Sequence, residues 1–209
     1  MKKLYGGINM SWLKTIIFAI ITGTFTGAVM LIPALDRTSF QDIGVSFEWW
    51  VIFAVIIVVN CKKNWEAMLK CFVFFLISQP LVYGVEILFG DLTLQLAKNY
   101  YFGTWFKMTF ATLPGGFIAY YCKKQNLFGS IVLGLGNTIQ AAMAVYYIPQ
   151  MISHFPYHTL TVAVCIASII VMSMYIQKEK KYRIISMVIP VVLALGMVAF
   201  TKVTGIDII

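Results

Sequence analysis

The chain has 209 residues, 60% of them hydrophobic and 11% charged, and a mean hydropathy of +0.85. Soluble domains run at about 45–50% apolar and about 25% charged, so a water-soluble fold of this length is excluded. The formal net charge is +8, and it is read as loop charge that sets membrane topology, not as a nucleic-acid footprint.

Taken in chain order, the sequence divides into seven hydrophobic runs at 12–33, 46–61, 71–90, 104–122, 126–148, 159–177 and 184–201. The first is too long for a signal-peptide core and has no small-residue cleavage site after it, so it reads as a retained helix. It carries Thr22, Gly23, Thr24, Thr26 and Gly27 near its middle, and Gly23-xxx-Gly27 is a membrane packing motif. The second run is short for a span of about 20 residues and needs residues 43–45 or very little tilt. The third extends inward through residues 64–70 and places Gln79 and Pro80 at mid-depth, with Glu86 toward its outer end.

Residues 91–103 then put Leu92, Leu96 and Tyr100 at helical spacing, which predicts an outer interfacial helix. The fourth run contains Thr112, Pro114, Gly115 and Gly116, which predict a bend, a break or a close backbone contact. The fifth carries Ser130-xxx-Gly134, Asn137 and Gln140. His154 and His158 flank Pro156 in the next loop, where a zinc pair is not expected because the proline opposes the helix that such spacing requires. The expected fold is an all-α integral membrane protein, one polytopic domain over residues 1–209.

Charge supports the division. With the N-terminus inside, the inner segments hold Lys2, Lys3, Lys14, Lys62, Lys63, Lys70, Lys123, Lys124, Lys178, Lys180, Lys181 and Arg183. The outer segments hold Arg37, Lys98, Lys107 and Lys202, which completes the sixteen basic residues. Six acids, Asp36, Asp42, Glu48, Glu86, Asp91 and Asp207, fall outside or near it, and only Glu66 and Glu179 fall inside. This asymmetry predicts a cytoplasmic N-terminus and an external C-terminus. Trp49, Trp50, Tyr100, Tyr101, Trp105, Tyr146 and Tyr147 form the expected outer aromatic belt. The opening of the fourth run echoes the first (Thr104-Trp-Phe-Lys against Ser11-Trp-Leu-Lys), which raises an inverted repeat of 11–90 and 104–177 followed by a last helix at 184–201.

Polar and helix-breaking residues deep in a membrane are the candidates for function. Gln79, Thr112, Pro114, Gly115, Gly116, Asn137 and Gln140 share a similar depth and are expected to line a substrate cavity at the midplane, with Glu86 as a coupling acid. Packing and hydrogen bonding between helices is the competing use of the same residues. Cys61, Cys71, Cys122 and Cys165 show no CxxC spacing, so neither a disulfide framework nor a thiolate metal site is expected. Enzyme motifs are absent, and no cofactor is expected.

The leading reading is a small-molecule transporter or substrate-binding membrane subunit for a neutral or aromatic solute, such as a vitamin-like compound. Its partners would be the bilayer, the solute, and another membrane protein or an ATPase complex. A non-transporting multi-pass protein (assembly factor, sensor or immunity protein) is the second reading, and a channel is the third. The preference for lysine over arginine points to an AT-rich bacterial genome and hence a bacterial cytoplasmic membrane.

Overall fold

The computed structural model describes residues 4–35 and 38–204. Lys2, Lys3, Asp36, Arg37 and Asp207, which enter the charge count, lie outside the described residues, as does the Lys202 side chain. Every regular element among the described residues is helical.

The first helix, α1 (Trp12–Met30), starts where the Ser11 hydroxyl accepts the Lys14 backbone N–H at 3.2 Å. This side-chain cap satisfies one of the donors that a helix start leaves free. A short α2 (Asp42–Val45) precedes α3 (Glu48–Val59). The next helix, α4 (Asn64–Phe89), is capped by Glu66, which reaches back to the Lys62 and Lys63 amides at 2.7 and 3.3 Å and pairs with Lys70. After α5 (Leu94–Tyr100), a π turn at Tyr101–Trp105 leads into α6 (Phe106–Ala119) and a 3-10 turn at Tyr120–Lys123. The chain then forms α7 (Leu127–Ser153), α8 (Thr159–Ile176) and α9 (Lys180–Thr204).

Among the described residues five helices are long and apolar enough to cross a membrane: α1, α4, α7, α8 and α9. Two of the seven expected runs fall short of that length as single helices. At about 1.5 Å per residue the 12 residues of α3 extend only about 18 Å, against about 30 Å of bilayer hydrocarbon. The fourth run has its 14-residue α6 separated from α5 by the π turn, although the helical path continues unbroken through both. Thus the expected interfacial helix is joined end to end with the fourth run. Pro114 leaves α6 continuous, since a proline removes one ladder donor and need not end the helix.

Along their shared length α1 packs on α4, which also packs on α6; α7 packs on α8 and α9, and α3 touches members of both groups. The α1–α4 seam is built on glycine. A methyl group at Gly23 would lie 2.5 Å from the Ser78 carbonyl oxygen, and one at Gly27 would lie 2.7 Å from that of Val82. Rings from α1, α3, α4 and the π turn fill the centre. Phe18, Trp50, Phe53, Phe74, Phe75 and Trp105 form a chain of pairs with centroids 5.2–6.3 Å apart. Such spacing suits edge-to-face and tilted ring contacts. Trp50 and Trp105 therefore belong to the interior, not to the belt that the sequence suggested.

The lysine-rich connections collect at one end of the bundle. There Asn60 binds the backbone of Leu4, Gly6 and Ile8, tying the N-terminal segment to the end of α3. Gln177 donates to the Cys122 and Lys124 carbonyls, and the Tyr120 hydroxyl donates to the Lys62 carbonyl.

Candidate functional site

Three helices turn one apolar stripe each toward a common space. On α3 the stripe runs through Trp50, Ala54 and Val58; on α6 through Met108, Thr112 and Gly115; on α7 through Val132, Gly136 and Ile139. Steps of three and four residues place each set on one helix face. With Phe75 of α4, and with Phe47 and Trp105, these stripes enclose a cavity of about 390 Å³ that no charged residue among the described ones lines. Its rim includes Met108, Ile118, Leu135 and Ile139, all exposed, so the cavity opens sideways between α6 and α7.

Of the residues singled out from sequence, Thr112, Gly115 and Gly116 line this cavity. Gly115 leaves open space: a methyl group there would meet nothing within 4 Å. Gly116 instead allows a close approach, since a methyl group would come 3.1 Å from the Met68 Cα. The Thr112 hydroxyl donates to the Thr109 carbonyl at 2.6 Å, so it is occupied within its own helix. Pro114 is exposed on the outer side of α6.

The amides lie elsewhere. Asn137 is buried, and its Nδ2 donates to the Ser173 hydroxyl at 3.2 Å and the Ser186 carbonyl at 3.3 Å, joining α7 to α8 and α9. Gln140 Nε2 donates to the Glu48 carbonyl at 2.9 Å, joining α7 to the start of α3. Gln79 is buried on α4, and its Nε2 has no hydrogen-bond partner among the described residues. Glu86 is half-buried on α4, away from the cavity lining. A single depth therefore holds two separate groups: an apolar cavity, and amides between helices.

No known family model, curated protein or solved structure matches this chain.

Beside the cavity wall lies a polar cluster that sequence reasoning did not assemble. Asp42 is 5% exposed, and its Oδ2 takes hydrogen bonds from Thr161 Oγ1 and from His158 Nδ1, both at 2.6 Å. The His158 ring also stacks on Tyr147, with centroids 4.5 Å apart. The His158 backbone adopts the left-handed region, with φ +58°, an uncommon conformation for a side-chain-bearing residue. His158 supplies no side-chain cap to α8; Ser39 does so instead, accepting the Leu160 N–H at 2.7 Å. The Asp42 carboxylate at the start of α8 is also favoured by the positive end of that helix.

Glu48 is fully buried one residue from Phe47 and two from Trp50, both of which line the cavity. Ser46 donates to its Oε1, while its Oε2 has no partner among the described residues. The sequence reading put Asp42 outside or near the outer surface, Glu48 at the outer start of the second run and His158 in a loop; the tertiary partners of these segments lie 92 to 119 residues away in the chain. The one local signal was Asp42, Ser46 and Glu48 spaced within seven residues just before an apolar run.

Proposed function

We propose that this chain crosses the membrane seven times, with its lysine-rich end in the cytoplasm and its C-terminus outside. We infer that it binds a small neutral solute, apolar or aromatic, in the cavity between α3, α4, α6 and α7 and moves it, or hands it to a partner. The setting is a bacterial cytoplasmic membrane. One observation carries the reading: a space of about 390 Å³ walled by Phe47, Trp50, Phe75 and Trp105, with no charged lining and a mouth between two helices. Sites for drug-sized ligands fall in the range of about 300–1,000 Å³ and are mostly apolar and aromatic. In a bilayer the mouth between α6 and α7 faces hydrocarbon, so a solute dissolved in the membrane reaches it without crossing water.

Support for seven crossings comes from the alternation of lysine-rich and lysine-poor connections and from the continuous helical path of α5, the π turn and α6. A chain with no ATPase motif needs an ion, a partner or a downhill gradient to move solute. Glu86 and Glu48 are the acids available for proton coupling, and Glu48 sits against the cavity wall.

Mass spectrometry of small molecules extracted from the purified protein tests this reading. The expected result is a neutral, ultraviolet-absorbing solute that copurifies with the wild type and is lost from Gly115→Trp, whose indole fills the cavity. A second reading, a non-transporting protein that acts through helix contacts, draws on the use of Asn137 and Gln140 to join helices. A Gly115→Cys thiol that resists a membrane-permeant maleimide in a background free of native cysteines, together with no copurifying solute, would select that reading.

A further inference from the structure

The lysine-rich end of the bundle contains a second, larger cavity of about 860 Å³, formed where the N-terminal segment, the end of α3, the 3-10 turn and the end of α8 meet. It lies at the end of the bundle, whereas the apolar cavity opens on its side, and it enters no part of the solute reading above. Lys62, Lys123 and Lys178 line it, and no acid does among the described residues.

Among the described residues this end has two acids, Glu66 and Glu179, and both are already engaged. Glu66 binds Lys70 and the Lys62 and Lys63 amides, and Glu179 pairs with Lys181 at 3.2 Å. Among the described residues none of the three lining lysines forms an ion pair. Three lysines thus line one space, and among the described residues no carboxylate is paired with any of them.

The walls are held in place. Asn60 fixes the N-terminal segment through Gly6 and Ile8, at 3.2 and 2.7 Å. Lys123 donates to the Cys61 carbonyl while its ammonium sits 3.8 Å over the Tyr120 ring, so one of the three charges is positioned in advance. The Lys178 backbone is anchored by Gln125 Oε1 at 2.6 Å. On one side Tyr5 stacks on Tyr175 at 6.2 Å, giving the space an aromatic wall. Burial pushes the Tyr5 phenol up from its ordinary value, and a phenol can donate a hydrogen bond.

We propose that this cavity binds a phosphate-bearing anion, held by Lys62, Lys123 and Lys178. Lysine ammonium groups bind phosphate as mobile point charges, and basic pockets at this end of membrane proteins take lipid head groups by the same chemistry. The phosphate belongs either to a soluble ion or ester or to an anionic phospholipid, and the experiment separates the two.

Inorganic phosphate is titrated calorimetrically into the purified full chain in a neutral detergent. In parallel, thermal unfolding is measured in nanodiscs of phosphatidylcholine with and without phosphatidylglycerol. Saturable phosphate binding identifies a soluble anion; stabilisation by phosphatidylglycerol alone identifies the lipid head group. In either case Lys62→Gln/Lys178→Gln is expected to weaken the effect about tenfold or more, as loss of charge-assisted bonds does. Lys124→Gln/Lys180→Gln, which removes the same charge outside the cavity and leaves the Glu179 pair with Lys181 in place, is expected to leave it unchanged. Lys62→Arg/Lys178→Arg keeps the charge and is expected to retain binding, which separates loss of the site from loss of the fold. Equal weakening by both glutamine pairs, or no response to phosphate or phosphatidylglycerol in the wild type, overturns the proposal.

Discussion

Two seams of this molecule are held in different ways. Between α1 and α4, Gly23 and Gly27 let backbone approach backbone, and no side-chain hydrogen bond joins the two helices among the described residues. Around α7, buried amides reach across instead: Asn137 to α8 and α9, Gln140 to α3. Lipid tails are as apolar as leucine, so greasy surface alone does not bring membrane helices together. Close van der Waals fit and polar cross-links are the two remaining means, and the chain uses each in a different place. The first is intolerant of added volume, and the second of lost polarity.

The largest expected effect lies on the glycine seam. Gly23→Leu would drive its Cβ to 2.5 Å from the Ser78 oxygen and 2.9 Å from the Ser78 Cα, and backbone atoms cannot swing aside. The expected loss is about 3 kcal/mol, at the upper end for overpacking, read as a lowered thermal unfolding midpoint in detergent. An unchanged midpoint would break the contrast between the seams.

A smaller loss is expected from Asn137→Leu, which keeps the number and branching of the side-chain heavy atoms and removes both donated bonds. Hydrogen bonds between membrane helices contribute on the order of 1 kcal/mol each, and the same unfolding measurement reads the change. Adding Ser173→Ala sharpens the point: if the two residues work as a pair, the double variant loses less than the sum of the single ones.

The smallest effect is at the cavity. Gly115→Ala places a methyl group in open space and is expected to gain about 0.5 kcal/mol from reduced backbone freedom in the unfolded chain. Gly116→Ala, one residue on, meets the Met68 backbone at 3.1 Å and is expected to lose stability in the same assay. Equal behaviour of the two neighbours would mean that α6 does not divide cavity from contact at this point.

Part of the site was readable before the fold was known. Thr112, Gly115 and Gly116 were singled out as polar or helix-breaking residues at mid-depth, and they line the cavity. Asn137 and Gln140 were grouped with them on depth alone. Depth along a helix axis says nothing about azimuth: Asn137 lies on a different face of α7 from Val132, Gly136 and Ile139, while Gln140, one turn beyond Gly136, is taken up by the Glu48 carbonyl. Asp42 and His158 were invisible as a pair because their partnership exists only once α2 and the start of α8 are brought together.

The sequence by itself determined that the chain is all-helical and suited to lipid, where its helices begin and end to within a few residues, and that its lysines gather at one end. These follow from composition and from local patterns, which act over one turn or one span. Which face each helix presents, how Glu48 and Asp42 come to be buried, and where the two cavities open were decided only by tertiary packing. Those outcomes depend on contacts between residues far apart in the chain, and no local pattern records them.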